Sequence, residues 1–165
     1  SNQIFNNNIS LYPSDLNKDI DNIILNKLKK IYEGYCKDNC FILNNSIKLI
    51  NKSLGKIETH ENKNVIKYDV KYSCDIISPS IGDNLEIVVN TITKMGIIAY
   101  VKGYKTDDKE ESLQNSPLLI IIPRDYIDPS IDISEYSNDQ KLKIRVLDSR
   151  SRYNSKQIQI VGELI

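Results

Sequence analysis

The chain is poor in the residue types on which most enzyme chemistry depends. Its 165 residues include one histidine, three cysteines and six glycines, and no tryptophan. A single histidine without a G-x-S-x-G or Cys/His arrangement provides no general base for a serine or cysteine nucleophile. No G-x-x-x-x-G-K-[ST] or G-x-G-x-x-G stretch is present, so no phosphate-cradling loop is predicted. We therefore expect no catalytic residues and no cofactor.

Metal sites and disulfides are also poorly supported. Cys36, Cys40 and Cys74 are odd in number and lack the spacing of a disulfide framework. A zinc site built on Cys36 and Cys40 needs two further ligands, and His60 with Cys74 makes a poor set. The acidic residues do not follow the spacing of a calcium loop. We predict no metal and expect inert thiols in a reducing compartment.

Long apolar runs are absent. The longest run, Leu118 to Ile122, is far shorter than the roughly 20 residues that span a bilayer. The N-terminus is Asn-rich rather than basic and then apolar, so it does not resemble a signal peptide. With 40% hydrophobic and 27% charged residues, the composition is that of a globular protein. We expect a soluble protein, without membrane association, inside a cell or carried in a particle.

The formal net charge is zero. This argues against a general nucleic-acid binder, whose affinity comes from neutralising phosphates. The charges are nevertheless sorted along the C-terminal half. Segment 125–139 carries five acids and no base, and segment 141–156 carries six basic residues and the single acid Asp148. The basic residues are Lys141, Lys143, Arg145, Arg150, Arg152 and Lys156.

One segment has the pattern of an amphipathic helix. Pro13-Ser14-Asp15 is a start signal and Gly34 an end signal. Between them the apolar residues form one stripe of a 3.6-residue repeat, which predicts a helix packed on a core. The stripe consists of Leu16, Ile20, Ile23, Ile24, Leu28 and Ile31.

The remainder of the chain is predicted to form strands, divided by a turn-rich stretch at 78–83. The sequence thus predicts an α+β protein with two domains. Domain 1–78 contains a small β-sheet packed on the helix, and domain 79–165 a five-stranded Greek-key barrel with a polar loop at 102–116. The predicted strands are 4–11, 41–50, 56–59 and 65–77 in the first domain, and 85–93, 96–101, 118–122, 142–147 and 157–164 in the second.

Short motifs stand in a fixed order along almost the whole chain. In the first half they are Leu11-Tyr12-Pro13, Glu33-Gly34, Gly55-Lys56-Ile57, Val70-Lys71-Tyr72, and Pro79 with Gly82. In the second half they are Gly82–Leu85, Met95–Val101, Ile122-Pro123 and Ile160–Leu164. In order and spacing they resemble the stalk subunit of multisubunit RNA polymerases. This family comprises the seventh subunit of RNA polymerase II and the archaeal E-type subunit, and large DNA viruses with their own polymerase also encode it.

The resemblance implies a function without catalysis. It implies an S1-type OB-fold barrel in the C-terminal domain and an N-terminal domain that docks on the polymerase core near the clamp. The implied docking residues are Leu54, Gly55, Lys56, Ile57 and Pro79. The implied partners are the largest polymerase subunits, a small core subunit at the clamp base, in many members a second stalk subunit, and nascent RNA. The implied location is the site of transcription, which is the nucleus, or the cytoplasm or virion for a viral protein.

A candidate RNA-binding track follows from the basic residues. Lys141, Lys143 and Arg145 alternate along a predicted strand, so they point to one face. Four further residues would extend the track: Arg150, Arg152, Tyr153 and Lys156. A solvated outer barrel face with a basic turn is the alternative. RNA-binding S1 domains usually offer aromatic side chains on which bases stack, but this chain has Ile97 or Ile98 at the position of the aromatic residue in the second barrel strand. The tyrosines that remain as candidate stacking residues are Tyr100, Tyr104, Tyr126 and Tyr153.

Two other interpretations stay open. The first is a free-standing S1-type RNA-binding module of a translation or RNA-decay factor, against which the zero net charge and the few aromatic residues count. The second is an enzyme of unrecognised type, for which a thiol or metal dependence at Cys36, Cys40 and His60 would be the sign.

Overall fold

The computed structural model of the chain describes residues 1–16, 19–104 and 110–165. Part of the predicted polar loop, 105–109, therefore lies outside the described residues. In chain order the strands are β1 (Asn2–Leu11), β2 (Cys36–Lys37), β3 (Cys40–Ile42), β4 (Lys48–Lys52), β5 (Lys56–His60), β6 (Lys63–Ile77), β7 (Asn84–Thr93), β8 (Gly96–Tyr100), β9 (Leu118–Pro123), β10 (Lys141–Arg150) and β11 (Ile158–Leu164), and helix α1 is Ile20–Tyr32.

The chain divides into two compact units. The first consists of Ser1–Glu33 and Ile42–Ile76, and the second of Gly34–Phe41 and Ile77–Ile165. The α+β class, with a helix and sheet in the N-terminal part and a five-stranded barrel in the C-terminal part, is confirmed. Among the described residues, no helix combines the length and apolar character required to cross a membrane.

Strand β6 is the centre of the first unit. Strand β1 pairs with it antiparallel along one side, and β4 and β5 pair with it antiparallel along the other. Alternate β6 side chains turn toward the core, where Tyr72 is fully buried and its ring stacks on Tyr32 of α1 with centroids 5.9 Å apart. Ile24 and Leu28 of α1 are fully buried as well. Part of the predicted stripe thus packs on the core, whereas Leu16 lies before the helix and Ile31 is 41% exposed.

The helix begins later than its sequence pattern suggested. Pro13–Asp15 forms a separate 3-10 turn, and α1 starts at Ile20 with Asp19 as its N-cap. The Asp19 carboxylate accepts a hydrogen bond from the Asn22 backbone N–H at 3.2 Å and so satisfies one of the free amides of the first turn. The prediction that Pro13-Ser14-Asp15 starts the helix is therefore wrong, because the chain has a second capping residue closer to the core-facing stripe.

The second unit is a closed barrel with the strand order β10-β11-β9-β8-β7. All neighbouring strands are antiparallel except β9 and β11, which run parallel. The interior is filled by β-branched side chains, which pack well on a pleated surface. The fully buried isoleucines of the barrel strands are Ile87, Ile97, Ile120, Ile122, Ile144 and Ile160.

The strands within residues 36–52 differ from the prediction in two respects. The stretch 41–50 forms two strands, β3 and β4, because Asn45 adopts a left-handed backbone conformation with φ 58° that interrupts extended structure. Strand β2 was not predicted. It forms a hairpin with β3 around Asp38 and Asn39, both with positive φ. Two consecutive left-handed residues make the tight turn that suits a hairpin with a two-residue loop.

Candidate nucleic-acid and core-docking surfaces

Three basic side chains of β10 lie on one outer face of the barrel. Lys141, Lys143 and Arg145 are exposed, whereas Ile144 is fully buried. This alternation follows from the pleat of the strand, in which successive side chains point to opposite faces. The structure thus brings together the three strand residues of the predicted RNA track.

The neighbouring strands place acidic side chains on the same face. Glu86 of β7 pairs in register with Lys143, and its carboxylate lies 3.9 Å from the Lys141 ammonium. Glu163 of β11 pairs in register with Arg145 and accepts a hydrogen bond from its guanidinium at 3.1 Å. The strand part of the track is therefore partly neutralised. The sequence of segment 141–156 does not show this neutralisation, because both acids come from other strands.

Arg150 points outward because β10 contains a bulge. The pairing of β10 with β11 shifts between Val146 and Asp148, so Leu147 is an extra residue in the strand. Uninterrupted alternation would turn Arg150 toward the barrel interior, whereas the bulge places it opposite the exposed Gln159. Its guanidinium donates a hydrogen bond to the Asp148 carboxylate at 3.0 Å. This cation is thus also paired with an acid.

The loop from Ser151 to Gln157, which we call the basic loop, joins β10 to β11 and carries the remaining predicted residues. Arg152 and Lys156 are both exposed. Within 1–16, 19–104 and 110–165, no acidic group forms an ion pair with either of them. Tyr153 lies between them in the chain and is 65% exposed. Arg152, Tyr153 and Lys156 are therefore accessible to a phosphate backbone.

The acidic segment 125–139 lies at the opposite end of the barrel. It follows Pro123, the last residue of β9, whereas the basic loop leads into Ile158, which pairs with Leu118 at the start of β9. The two ends of β9 are about 17 Å apart at the rise of a β-strand. This exceeds the Debye length of about 8 Å at physiological salt. Repulsion between the acidic segment and a phosphate at the basic loop is consequently screened.

Hydrogen bonds keep the acidic segment charged. The Ser130 backbone N–H and hydroxyl both donate to the Asp128 carboxylate and hold its pKa below the ordinary value. The Ser134 hydroxyl and backbone N–H have the same effect on the pKa of Asp132. Because these bonds favour the ionised form, both carboxylates stay charged to a lower pH than an aspartate without such bonds.

The four candidate stacking tyrosines differ in exposure. Tyr100 is only 5% exposed and offers no face to a base. Tyr104 and Tyr126 are exposed, but Tyr126 belongs to the 3-10 turn that opens the acidic segment. Tyr153, in the basic loop, combines an accessible ring with the exposed cations Arg152 and Lys156. A base stacked on it would contribute about 1–3 kcal/mol.

Four of the predicted docking residues lie in the first unit, Leu54 and Gly55 between β4 and β5 and Lys56 and Ile57 at the start of β5, whereas Pro79 belongs to the second unit. Leu54 and Ile57 are 90% and 76% exposed, the largest fractions among the large apolar side chains described in the first unit. The Ser53 backbone N–H donates to the Asp69 carbonyl at 2.8 Å, which ties the start of this connection to β6. Two apolar side chains that are held away from the core are typical of a protein-binding site. Sequence alone did not reveal which apolar residues of this region are exposed.

Gly55 lets this connection lie against the sheet. A Cβ atom at position 55 would lie 2.6 Å from Ile66 Cγ2 and 3.0 Å from the Tyr68 ring. We predict that Gly55→Ala lowers the free energy of unfolding by about 1–3 kcal/mol, as overpacking does. Urea denaturation measures the change. The neighbouring exposed Lys56→Ala should stay within about 0.5 kcal/mol. Equal stability of the two variants would contradict the close packing at Gly55.

The junction turn after Pro79 presents an apolar side chain that was not predicted. Pro79 itself is partly buried, whereas Ile81 is 71% exposed. The Ser80 backbone N–H donates to the Asp83 carboxylate at 2.8 Å, and Gly82 has φ +93°. These features form a tight turn whose second residue, Ile81, projects into solvent. The available signal in the sequence was an isoleucine directly before a turn glycine.

The thiols of Cys36 and Cys40 are not activated. Both are buried, as is Cys74. Burial, reinforced by the neighbouring Cys40, raises the pKa of Cys36 to about 11, and burial also raises the pKa of Cys40. An activated nucleophile requires the opposite shift. In the described part of the chain, no three His, Cys, Asp or Glu side chains are grouped so that they could hold a metal ion.

The raised pKa of Cys36 has two measurable consequences. At pH 8 only about one Cys36 side chain in a thousand is a thiolate, so alkylation by iodoacetamide should be slow until urea unfolds the chain. Because the folded state favours the neutral thiol, its contribution to stability is complete below pH 9 and disappears as the pH rises from 9 toward 11. Mass spectrometry of the labelled chain checks the first consequence. Rapid labelling of folded Cys36 would contradict the shift.

Two curated proteins are similar to part of the chain. No protein-family model matches the chain. The chain is 29% identical over 97 residues to the Arabidopsis thaliana protein named DNA-directed RNA polymerase II subunit 7, a match that covers 58% of this chain and 53% of that protein. It is 28% identical over 97 residues to the Glycine max protein named DNA-directed RNA polymerase II subunit RPB7, with the same coverage. The match thus spans about half the length of these curated relatives.

Proposed function

We infer that the chain is a protein of the stalk-subunit family, since two curated relatives carry the name of the seventh subunit of RNA polymerase II. We propose that it is a non-catalytic subunit of a DNA-directed RNA polymerase. In this role it docks on the core near the clamp and contacts nascent RNA. Its proposed partners are the largest polymerase subunits and a small core subunit at the clamp base, with a second stalk subunit in some assemblies. Its proposed location is the site of transcription, in the nucleus or, for a viral polymerase, the cytoplasm and virion.

The observation that carries the docking proposal is the exposure of Leu54 and Ile57. Burying a leucine or isoleucine side chain contributes about 1.5–3 kcal/mol each, so two such residues are a substantial anchor for a partner. The basic residue Lys56 lies between them and is exposed, which adds a charged contact at the same surface. Ile81, on its rigid turn, is a second proposed anchor, in place of the partly buried Pro79. The proposed polymerase-docking domain is 1–78, and the proposed S1-type domain is 79–165.

The observation that carries the RNA proposal is the basic loop. Arg152 and Lys156 are exposed, neither forms an ion pair with an acid in the described part of the chain, and Tyr153 between them can stack on a base. OB folds use the loop between their fourth and fifth strands to bind oligonucleotides, and β10 and β11 are those strands here. The paired cations of β10 have a secondary role, because their charge is shared with Glu86 and Glu163.

A second candidate function follows from the same loop. An exposed basic loop on an OB barrel is also what a free-standing S1-type module of a translation or RNA-decay factor would use. Such a module must bind RNA without help, and the zero net charge of this chain limits its affinity. A free-standing module does not require the exposed apolar side chains of Leu54 and Ile57 on the first unit. The docking residues therefore favour the polymerase subunit.

Affinity purification from the native source tests the two functions. The chain carries a tag, and mass spectrometry quantifies the proteins recovered with it. For a polymerase subunit, we expect the two largest polymerase subunits in near-stoichiometric amounts. Recovery of ribosomal proteins or decay factors without polymerase would contradict this function and favour the free-standing module.

A further inference from the structure

The hairpin formed by β2 and β3 is hydrogen-bonded to the basic loop, although more than 100 residues separate them in sequence. The Cys36 backbone N–H donates to the Ser155 carbonyl at 2.8 Å, and the Asn154 N–H donates to the Cys36 carbonyl at 3.0 Å. The Ser151 hydroxyl donates to the Asn39 side-chain oxygen at 3.4 Å. The hairpin residues up to Phe41 accordingly belong to the same compact unit as the barrel.

The geometry of the hairpin explains why Cys36 is free to make these bonds. Lys37 and Cys40 flank the two-residue turn, and Cys36 pairs with Phe41 one step further along. In an antiparallel hairpin the pairs alternate between hydrogen-bonded and non-hydrogen-bonded. The pair of Lys37 and Cys40, beside the turn, is the hydrogen-bonded one. Cys36 therefore directs its backbone N–H and carbonyl away from β3, toward the basic loop.

The bonded residues lie between the two exposed cations of the loop. The Ser155 N–H donates to the Arg152 carbonyl at 3.0 Å, which closes a turn with Tyr153 and Asn154 at its centre. Asn154 has φ +63°. Lys156 follows this turn directly. Anchoring Asn154 and Ser155 therefore determines where the flanking side chains project.

We propose that the β2–β3 hairpin is the positioning element of the basic loop and presents Arg152, Tyr153 and Lys156 as a preformed contact for an RNA backbone. This inference rests on the proposed RNA contact. A loop that is already ordered loses less conformational entropy when it binds, so its affinity is higher than that of the same residues on a loose loop. The hairpin itself contributes no contact to RNA.

A matched pair of asparagines allows the inference to be tested. Asn39 in the β2–β3 turn and Asn62 in the β5–β6 turn both have φ +63°. A β-branched residue is strongly disfavoured at this φ, so Asn39→Val and Asn62→Val should each loosen one hairpin. Only the first of these hairpins is bonded to the basic loop. Asn39→Gly relieves the backbone strain and loses only the 3.4 Å hydrogen bond from Ser151, so its effect is expected to be clearly smaller than that of Asn39→Val.

The experiment measures loop order and RNA binding on the same full-length variants. Hydrogen exchange should show protection of the Asn154 amide falling roughly tenfold in Asn39→Val and unchanged in Asn62→Val. Affinity for an oligouridylate of about 16 nucleotides, the upper site size of one OB fold, should fall roughly fivefold in Asn39→Val, fall clearly less in Asn39→Gly, and remain at the wild-type value in Asn62→Val. Asn39→Ala, which introduces less strain, replaces Asn39→Val if that variant does not fold.

The outcomes separate this inference from the function on which it rests. A wild-type chain that does not bind the oligouridylate at low salt would overturn the RNA contact and, with it, the positioning role. Binding by the wild type together with equal binding by Asn39→Val would overturn the positioning role alone. Equal losses in Asn39→Val and Asn62→Val would also overturn it, because the effect would then be a general loss of stability.

Discussion

Replacing Arg152 and Lys156 with glutamine is expected to weaken single-stranded RNA binding and to reduce its salt dependence. Each phosphate neutralised on a single strand contributes about −0.7 to the slope of log K against log salt. Losing two contacts should therefore reduce the magnitude of the slope by about 1.4. Fluorescence anisotropy titrations of an oligouridylate at several salt concentrations measure both quantities.

The control for the variant with glutamine at Arg152 and Lys156 must carry the same change in net charge at another place in the chain. Lys30→Gln with Lys63→Gln removes two exposed positive charges from the first unit, and among the described residues neither lysine has an ion pair. This variant should leave the slope unchanged, because these lysines are not proposed to contact phosphate. If both variants lowered the slope equally, RNA binding would depend on net charge rather than on the basic loop. The solvated-turn interpretation would then be correct.

Leu54→Asp combined with Ile57→Asp is expected to release the chain from the polymerase. Both side chains are largely exposed, so the substitutions should change the free energy of unfolding little. In a docked complex they would bury two carboxylates in an apolar contact, and each unpaired buried charge is strongly unfavourable. We expect recovery of the largest polymerase subunits with the tagged chain to fall by a factor of roughly ten or more.

Met95→Asp provides the control for docking. Met95 is 83% exposed, a fraction between those of Leu54 and Ile57, but it lies in the β7–β8 turn of the barrel. The substitution Met95→Asp should leave recovery of the polymerase subunits unchanged. If Met95→Asp released the chain as well, exposed apolar groups in general would determine recovery. If neither variant did so, the docking surface would lie elsewhere, with Ile81 as the next candidate.

Local sequence information was sufficient for the main elements of both units. The stripe that includes Ile24 and Leu28 identified the helix, and the alternation around Ile144 identified the outer face of β10. These predictions succeeded because helices and strands depend on neighbouring residues, and their side chains repeat with a period of about 3.6 residues in a helix and about two in a strand. They were less accurate at boundaries, where the choice between Pro13–Asp15 and Asp19 as the helix start depends on which cap suits the packed position of the stripe.

The properties of the candidate sites were decided by tertiary structure. Glu86 and Glu163 neutralise part of the β10 face because strand register brings them beside Lys141 and Arg145. The bulge at Leu147 determines the direction of Arg150. Exposure of Leu54, like the bonds from Cys36 to the basic loop, depends on how distant segments pack. Such properties arise from contacts between residues far apart in the chain, and a periodic pattern within one segment contains no information about them.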